Sequence, residues 1–401
     1  MYRISFGPMR PFDFFNTPRV VFGRGRVKEI GPLARSFGRR ALLVYNGDAP
    51  GAGGPYDRVV GHLAAAGVEA APFRQRGEPR VADVEGAVAA ARGAGCEVLV
   101  GLGGGSAIDF AKAAAGVLSN GGSPLDYMEV IGQGRPITVP ATPWVAVPTT
   151  AGTGAEATRN AVVGDPARKF KASLRSELLL PRVALVDPEL GVGVPPAVTA
   201  SSGMDALCQL VESYTSAGAG PVTDALALKG MELAAGSLRR AYDDGQDLDA
   251  REDMALAALL SGITLTNAGL GAVHGFAAPV GANFPVPHGV VCAALLPHVM
   301  RANAEALRAQ SADHPALARY ATVGRVLSAE RGLGADAAVD VGVRATADLA
   351  VAMAIPRLSA YGMGHGDIPT MVALAKRASS MRYNPVVLPD EVLADVLRRA
   401  L

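Results

Sequence analysis

Short apolar runs alternate with helical patterns in the first half of the chain. Runs rich in β-branched and apolar residues predict strands at "PRVVFG", "RALLVYN", "CEVLVGLGGG", "WVAVPTT" and "RVALVDPEL". Between the second and third of these, "VADVEGAVAAARGAG" has apolar residues at helical spacing and closes on glycine. Such alternation is typical of a parallel sheet with helices on both faces.

The pattern changes after about Leu190. Strand signals nearly vanish, and Ala/Leu-rich helical patterns such as "VTDALALKGMELAAGSLRRAYDD" and "LDAREDMALAALLSG" take over. The segment "GVGVPPAVTASSG" is a plausible junction. We therefore predict an α/β domain over residues 1–190 and an all-α domain over residues 191–401, with a ligand-binding cleft between them.

One long segment, Met254 to Met300, contains no Asp, Glu, Lys or Arg, yet it carries His274 and His288. A membrane span needs ~20 apolar residues, so length alone would allow one here. Polar residues such as Ser261, together with prolines and glycines, interrupt the segment throughout. This composition favours a buried helical core around a polar site.

Charge and cysteine content restrict the class of protein. Lys+Arg 38 against Asp+Glu 37 gives a net charge of +1, so we expect neither a nucleic-acid nor a membrane partner. The three cysteines, Cys96, Cys208 and Cys292, are scattered and odd in number, which argues for a reducing compartment. The start "MYRISFGPMRPFDFF" lacks the apolar core of a signal peptide. We expect a cytoplasmic protein.

Two loops that follow predicted strands have the composition of phosphate-binding loops. Glycines allow close backbone approach to a phosphate, and a helix N-terminus offers free N–H groups. Neither loop is the G-x-G-x-x-G fingerprint, and either one alone is also consistent with an empty tight turn. Together, after two parallel strands, they predict a nucleotide site. The candidate residues are Gly103, Gly104, Gly105, Ser106 and Asp109 in the first loop and its helix, and Thr149, Thr150 and Thr153 in the second.

A second constellation suggests a metal site. Asp205 and Gln209 are four residues apart in a predicted helix, which puts both side chains on one face. With His274 and His288 they offer a carboxylate, an amide oxygen and two imidazoles to a divalent transition metal. Taken singly, Asp205 is equally consistent with a helix-start residue, Gln209 with a surface residue and each histidine with a hydrogen-bonded core residue.

Four motifs in this order, "GGGSAIDFAK", "PTTAGTGAEAT", "GMDAL" and "GAVHGFAAPVGANFPVPHG", resemble the iron-containing (group III) alcohol dehydrogenase family. The opening "FNTPRVVFGRGRVKEIG" is also similar to that family, so the resemblance covers essentially the whole chain. The resemblance implies the architecture predicted above: a Rossmann-like dinucleotide-binding domain followed by a helical metal-binding domain.

The resemblance also assigns expected roles by position. Gly104, Gly105 and Ser106 match residues that hold the cofactor pyrophosphate, and the three threonines match the second cofactor loop. Asn160 and Lys169 match residues that approach the ribose and phosphates. Asp205, His274 and His288 match three of the four metal ligands, and we expect them to be the catalytic residues.

Two positions depart from the family pattern, and a third residue bears on the choice of cofactor. Most members have histidine where this chain has Gln209, and an amide oxygen is the weaker ligand for a late first-row ion. Members usually have a proton-relaying histidine where this chain has Ala278. Asn46 stands at the end of the second strand, where an acidic residue would repel a 2′-phosphate, so both NAD and NADP are expected to be tolerated.

The resulting hypothesis is reversible hydride transfer between NAD or NADP and a small-molecule alcohol or aldehyde. The resemblance implies a divalent metal, with iron(II) first and zinc, nickel or manganese as alternatives, and a homodimer. Competing hypotheses are a metal-independent reductase similar to maleylacetate reductases, a cyclase similar to dehydroquinate synthases, and a catalytically impaired nucleotide-binding protein.

Overall fold

The computed structural model describes residues 11–15, 17–47, 51–129, 132–165 and 170–401. The strands are β1 (Arg19–Phe22), β2 (Arg40–Tyr45), β3 (Glu69–Arg74), β4 (Val98–Gly103), β5 (Trp144–Pro148), β6 (Asn160–Asp165), β7 (Phe170–Arg175) and β8 (Val183–Val186). The helices of the first half are α1 (Ile30–Arg35), α2 (Pro55–Ala65), α3 (Val81–Gly93), α4 (Gly105–Asn120) and α5 (Pro124–Tyr127). Those of the second half are α6 (Pro196–Thr215), α7 (Pro221–Asp243), α8 (Leu248–Ala268), α9 (Ala272–Asn283), α10 (His288–Gln310), α11 (Pro315–Ser328), α12 (Ala335–Ala352), α13 (Ile368–Ala375) and α14 (Asp390–Ala400).

The first half forms a six-stranded sheet in the order β1-β8-β5-β4-β2-β3, and every neighbouring pair is parallel. The five predicted strands and the predicted α3 are all present. Two separate apolar clusters pack on the sheet, one around Phe110 and one around Leu43, so helices cover both faces. The parallel α/β architecture predicted from the sequence is confirmed.

The sheet has a topological switch point between β2 and β4. From β2 the chain proceeds outward to β3, and it then returns to form β4 on the other side of β2. Ligands of open α/β sheets bind outside the carboxyl ends of the strands at such a point. Tyr45 ends β2 and Gly103 ends β4, so the first glycine-rich loop opens at the switch point.

Two features of the first half escaped the sequence analysis. The edge strand β3 has the sequence "EAAPFR", which carries only a weak strand pattern because one of its faces is half exposed. The strands β6 and β7 form a separate antiparallel hairpin outside the main sheet. Its strands alternate buried apolar residues with partly exposed ones, and the buried face packs on α4; the buried residues are Ala161, Val163, Ala172 and Leu174.

The second half is helical: in the described residues after Val186, no strand occurs. A single apolar cluster runs through it, and α6 lies at the centre with Gly203 to Thr215 all buried. The change from strands to helices falls between Val186 and Pro196, close to the predicted boundary. The division into domains of residues 1–190 and 191–401 stays a prediction.

The uncharged segment forms most of α8, all of α9 and the first half of α10. In the described parts of the chain, no single helix has the length and apolar character needed to cross a membrane. The pair α8 and α9 meets that criterion only when joined, and the two helices meet at an angle of 103°.

The two halves touch backbone to backbone at Gly154 and Gly262. Gly154 has φ +60°, and a Cβ there would come within 2.4 Å of the Ala258 carbonyl oxygen on α8. A Cβ on Gly262 would lie 2.1 Å from the Gly154 carbonyl oxygen. Neither backbone can yield as a flexible side chain would. Glycine at both positions therefore sets how closely the second threonine-rich loop approaches the helical half.

We predict that Gly262→Ala destabilises the protein by about 1 to 3 kcal/mol, the usual cost of overpacking a rigid site. The measurement is the midpoint of urea-induced unfolding. The control is Gly236→Ala on α7, where a Cβ meets nothing within 4 Å and the better helix former adds up to about 1 kcal/mol. Equal midpoints for the two variants would contradict the close approach described above.

Candidate active site

Asn46 and the first glycine-rich loop meet at the switch point of the sheet. The Asn46 side chain accepts a hydrogen bond from the Gly104 N–H at 3.2 Å and donates one to Gln75 Oε1 at 3.3 Å. Gly103 has φ +144°, and a Cβ there would lie 2.0 Å from Asn46 Oδ1. The amide of Asn46 thus fixes the shape of the loop, a role that the sequence analysis did not assign to it.

The two candidate cofactor loops pack directly against each other. A Cβ on Gly104 would approach Thr150 Oγ1 to 3.2 Å, and one on Gly105 would approach Thr153 Oγ1 to 2.6 Å. The Thr149 N–H donates to the Gly103 carbonyl at 2.9 Å. The helix α4 starts at Gly105 without a side-chain cap, which leaves its first N–H groups and the positive end of its dipole for a ligand. Ser106 lies in this first turn.

A buried lysine ties α4 to the segment that follows the second loop. Lys112 is completely buried, and its ammonium donates to the Ala155 carbonyl at 2.8 Å, to Thr158 Oγ1 at 2.7 Å and to the Asn160 carbonyl at 2.7 Å. Asp109 Oδ1 lies 3.4 Å from the same ammonium, and Asp109 Oδ2 accepts from the Val162 N–H at 3.0 Å.

Two predicted cofactor residues, Asp109 and Asn160, belong to this network. The Asp109 carboxylate and the Asn160 carbonyl both have protein partners that brace the two loops, and their contact with a cofactor stays a prediction. Lys169, the remaining predicted cofactor residue, lies outside the described residues.

A cleft opens beside the second loop, at the carboxyl ends of β5 and β8. It lies where the two halves of the chain meet. Its lining contains none of the predicted metal ligands, which form a separate cluster deeper in the helical half. Residues of both halves line it, among them Thr149, Thr150, Glu156, Thr199, Ser202 and Arg251.

Three of the four predicted metal ligands converge. Asp205 on α6 places Oδ1 3.2 Å from His274 Nε2 on α9 and 3.6 Å from His288 Nε2 at the start of α10. Cys292, one turn after His288, places Sγ 3.6 Å from His274 Nε2. One ligand atom from each of these four residues lies within 4.8 Å of the other three. The arrangement is suited to a divalent metal ion.

A further carboxylate orients the first histidine. Glu212 Oε2 lies 2.6 Å from His274 Nδ1, and because an ionised carboxylate only accepts, Nδ1 carries the proton and Nε2 faces Asp205. Glu212 also accepts from the N–H groups of Val273 at 2.8 Å and His274 at 3.4 Å, at the N-terminus of α9. A carboxylate that fixes the tautomer of a metal-binding histidine is a usual feature of metal sites.

Gln209, the fourth predicted ligand, is buried one turn after Asp205, but its amide oxygen has a protein partner. Ser261 on α8 lies with Oγ 2.9 Å from Gln209 Oε1 and 3.4 Å from the Gly152 carbonyl oxygen in the second loop. Gln209 and Ser261 therefore join the predicted metal cluster to the second predicted cofactor loop.

The cluster opens to solvent on one side. Asp205 and His274 are buried, whereas the side chain of His288 is 43% exposed. Ala278, one turn after His274 on α9, is exposed as well. This opening is the side from which a small molecule would reach the cluster.

Electrostatic coupling raises the proton affinity of both imidazoles. Burial lowers the pKa of His288, but the neighbouring Cys292 and Asp205 outweigh burial and raise it to about 9. Burial likewise opposes the charged form of His274, and contacts with Cys292, Asp205 and Glu212 raise its pKa well above the usual value. Burial favours the neutral form of Asp205, yet the two histidines keep its pKa low. The cluster thus pairs a carboxylate with protonated imidazoles, and a metal ion can replace the protons that face the carboxylate.

Glu212 and Cys292 were not predicted from the sequence. Glu212 has a recognisable signal, because it follows Asp205 by seven residues on the same face of α6. Cys292 follows His288 by four residues on α10, but a cysteine is an ordinary residue in a buried helix. An acidic residue in an otherwise apolar helical pattern needs a partner, and helical spacing points it to the cluster.

Comparisons with known proteins identify the family that combines a parallel α/β half with a helical half of this kind. The profile of the family described as "iron-containing alcohol dehydrogenase" matches residues 17–188, and that of "Fe-containing alcohol dehydrogenase family, C-terminal" matches residues 199–401. The chain belongs to the iron-containing alcohol dehydrogenase family. It is an alcohol dehydrogenase, an oxidoreductase that acts on CH–OH groups.

Individual relatives align over nearly the full chain. The NAD-dependent methanol dehydrogenase of Bacillus methanolicus is 34% identical over 97% of this chain and 100% of its own. The 1,3-propanediol dehydrogenase of Klebsiella pneumoniae is 35% identical over 98% of this chain and 99% of its own. A crystal structure of 1,3-propanediol oxidoreductase superposes with a TM-score of 0.90 at 33% identity, covering 98% of this chain and 100% of that one. The predicted family and fold are confirmed.

The buried Glu156 generates a prediction about pH. It is 3% exposed in the turn Ala155–Ala157, and burial raises its pKa from 4.5 to about 7, against the smaller opposing effects of its own backbone N–H and Lys112. Because the folded pKa is raised, its contribution to stability is fully present below pH 4.5 and is lost as the pH rises through about 7.

Glu156→Gln removes this titration. The free energy of unfolding of the variant minus that of the wild type should increase by up to about 3 kcal/mol when the pH is raised from 5 to 8. The measurement is urea unfolding at both pH values, with Glu232→Gln on the exposed face of α7 as the control for loss of a carboxylate. A wild-type-to-variant difference that is the same at both pH values would refute the assignment.

Proposed function

We propose that this alcohol dehydrogenase is metal-dependent and NAD(P)-linked, and that it interconverts a small alcohol and the corresponding aldehyde. The observation that carries the proposal is the convergence of Asp205 Oδ1, His274 Nε2 and His288 Nε2, with separations of 3.2 and 3.6 Å from the carboxylate to the two rings. Nitrogen and oxygen ligands at such separations suit a divalent transition metal.

The donor set suits a metal ion. Glu212 fixes one proton of His274 on Nδ1, so Nε2 is the nitrogen that faces Asp205, and a divalent cation held there would replace the second proton, which Nε2 donates to Asp205. A divalent metal held there would supply a Lewis acid to the alcohol or carbonyl group. The uncharged parts of α8, α9 and α10 around it limit its contact with water and so strengthen that effect.

The proposal for the dinucleotide is supported by the two loops at the carboxyl ends of β4 and β5. The uncapped N-terminus of α4 offers its N–H groups to a pyrophosphate, and Gly104 and Gly105 keep the surface free of side chains. The dinucleotide, when bound, would supply the hydride donor or acceptor. Thr150 and Thr153 lie against these glycines and add hydroxyls. We propose the same role for Gly103, Ser106 and Thr149.

Ala278 offers no group that exchanges a proton. Because it is exposed beside the opening of the cluster, we infer that water carries the proton to and from the substrate there. The homodimer and the cytoplasmic location expected from the sequence stay predictions.

The test of the metal proposal is His288→Ala against His298→Ala, two histidines on the same helix α10. Apo protein is loaded anaerobically with iron(II), zinc, nickel or manganese, desalted, and its metal content and aldehyde reduction are measured. His288→Ala should weaken metal affinity by at least about 100-fold and abolish turnover, because a direct ligand is worth more than the outer-shell partners that cost 10- to 100-fold. It should still bind the dinucleotide.

The control His298→Ala should retain both metal and activity, because His298 lies outside the cluster. Full metal retention and activity in His288→Ala would overturn the site assignment. Activity of the metal-stripped wild type would instead support the metal-independent reductase.

A separate prediction concerns the choice between NAD and NADP. Asn46 carries no charge at the switch point, where a carboxylate would repel a 2′-phosphate. Asn46→Asp should therefore raise the ratio of kcat/KM for NADH over NADPH by at least about tenfold, equivalent to about 1.4 kcal/mol. Because Asp also removes the donor to Gln75, Asn46→Ser serves as the control for lost loop contacts. An unchanged ratio in Asn46→Asp would mean that Asn46 does not face the ribose.

A further inference from the structure

Cys292 lies inside the predicted metal cluster, although the sequence analysis did not assign it a role. It is fully buried on α10, and its Sγ lies 3.6 Å from His274 Nε2. Among the described residues, Cys292 forms one group with Asp205, His274 and His288, in which the four ligand atoms all lie within 4.8 Å of one another. A sulfur at this position has the two histidines, the Asp205 carboxylate and the Cys208 thiol as its polar neighbours.

The distances match the edges of a tetrahedral metal site. With metal–nitrogen bonds of about 2.0 Å and a metal–sulfur bond of about 2.3 Å, nitrogen and sulfur lie about 3.5 Å apart, and nitrogen and oxygen about 3.4 Å. The observed separations are 3.6 Å from Cys292 Sγ to His274 Nε2, and 3.2 and 3.6 Å from Asp205 Oδ1 to the two imidazoles. These atoms need little movement to share one ion.

Gln209 is the competing candidate for the fourth ligand, and its contacts are less favourable. Its amide oxygen lies 2.9 Å from Ser261 Oγ, which also lies 2.8 Å from the Ala258 carbonyl oxygen, so one of its two lone pairs faces that hydroxyl. Its amide nitrogen has no lone pair for a cation. A thiolate, by contrast, is anionic and binds zinc-like ions strongly.

We propose that Cys292, rather than Gln209, is the fourth protein ligand of the metal, and that the set Asp205, His274, His288 and Cys292 favours zinc or cobalt over manganese. This inference rests on the proposed metal site. Carboxylate, imidazole and thiolate together form a softer ligand set than one with an amide oxygen, and soft sulfur ligands select zinc over cations that prefer oxygen. The anionic sulfur also explains how the cluster would retain a metal while Gln209 is engaged with Ser261.

The test uses cobalt(II), because a sulfur ligand gives it an intense near-ultraviolet sulfur-to-cobalt charge-transfer band. Wild-type apo protein is titrated with cobalt(II) without oxygen and in the presence of a non-thiol reductant. Absorbance is recorded, and bound metal is measured by mass spectrometry. The expected result is one cobalt per chain with the charge-transfer band, a readout independent of enzyme activity.

Variants assign the band to one sulfur. Cys292→Ala should lose the band and at least about 100-fold in cobalt affinity. Cys208→Ala is the matched control, because Cys208 is equally buried and its Sγ lies 4.0 Å from the other nitrogen of the same ring, His274 Nδ1. That variant and Cys96→Ala should keep the band. Gln209→Ala should keep the band as well and should lose less than about tenfold in affinity.

Metal preference gives a second readout. The ratio of zinc to manganese affinity should fall at least about tenfold in Cys292→Ala, because the sulfur is what favours zinc. Should that variant fail to fold, Cys292→Ser, which keeps the size of the side chain, takes its place, and the wild-type band remains decisive by itself.

The outcomes separate this inference from the proposed function. Stoichiometric cobalt without a sulfur band in the wild type would overturn the role of Cys292 and leave the metal site intact. A band that survives in Cys292→Ala and disappears in Cys208→Ala would also overturn it. No cobalt bound to the wild type would overturn the proposed metal site, and this inference with it.

Discussion

The candidate site depends on one buried carboxylate, that of Glu212. This side chain accepts from the N–H groups of Val273 and His274 at the first turn of α9 and from His274 Nδ1 at 2.6 Å. An isolated buried charge is costly, and here a helix N-terminus and an imidazole compensate it. Gly271 is required beside it, since a Cβ there would lie 2.8 Å from Glu212 Oε1. Through Glu212, the fold fixes the direction in which His274 presents its second nitrogen.

The location of the histidines in an uncharged segment follows from this arrangement. The carboxylates of the cluster, Asp205 and Glu212, come from α6, which is outside the segment, while α8, α9 and α10 supply apolar walls and the imidazoles. Ser261 on α8 contacts both Gln209 and the Gly152 carbonyl, so the same wall that surrounds the cluster also reaches the second cofactor loop. The close contact of Gly154 with Gly262 holds the two halves at the distance at which these contacts form.

Much of the fold was predictable because its signals are local. Central strands such as β4 and β5 are fully buried and read as continuous apolar runs, and α7 and α8 have long helical patterns. The edge strand β3 and the hairpin β6–β7 were missed because their residues are partly exposed and depend on neighbours distant in sequence. The junction predicted at "GVGVPPAVTASSG" is confirmed in its position, because α6 begins within it, directly after Pro195.

Site residues were predictable only where a polar or charged residue stands in an apolar segment of the sequence. Asp205, His274 and His288 stand out in apolar surroundings, and the structure brings them together. Cys292 does not stand out, because a buried cysteine is usually an ordinary apolar residue. Asn46 has its partner Gly104 58 residues further along the chain, and Gln209 has its partner Ser261 52 residues further along. No local pattern reveals such contacts.

The most direct test of the metal centre is anomalous diffraction from crystals of the zinc-loaded protein, with data collected on both sides of the zinc absorption edge. We predict one strong anomalous peak per chain, within about 2.0 to 2.3 Å of Asp205 Oδ1, His274 Nε2 and His288 Nε2. A peak at other side chains, or no peak while these three side chains keep the positions described above, would contradict it.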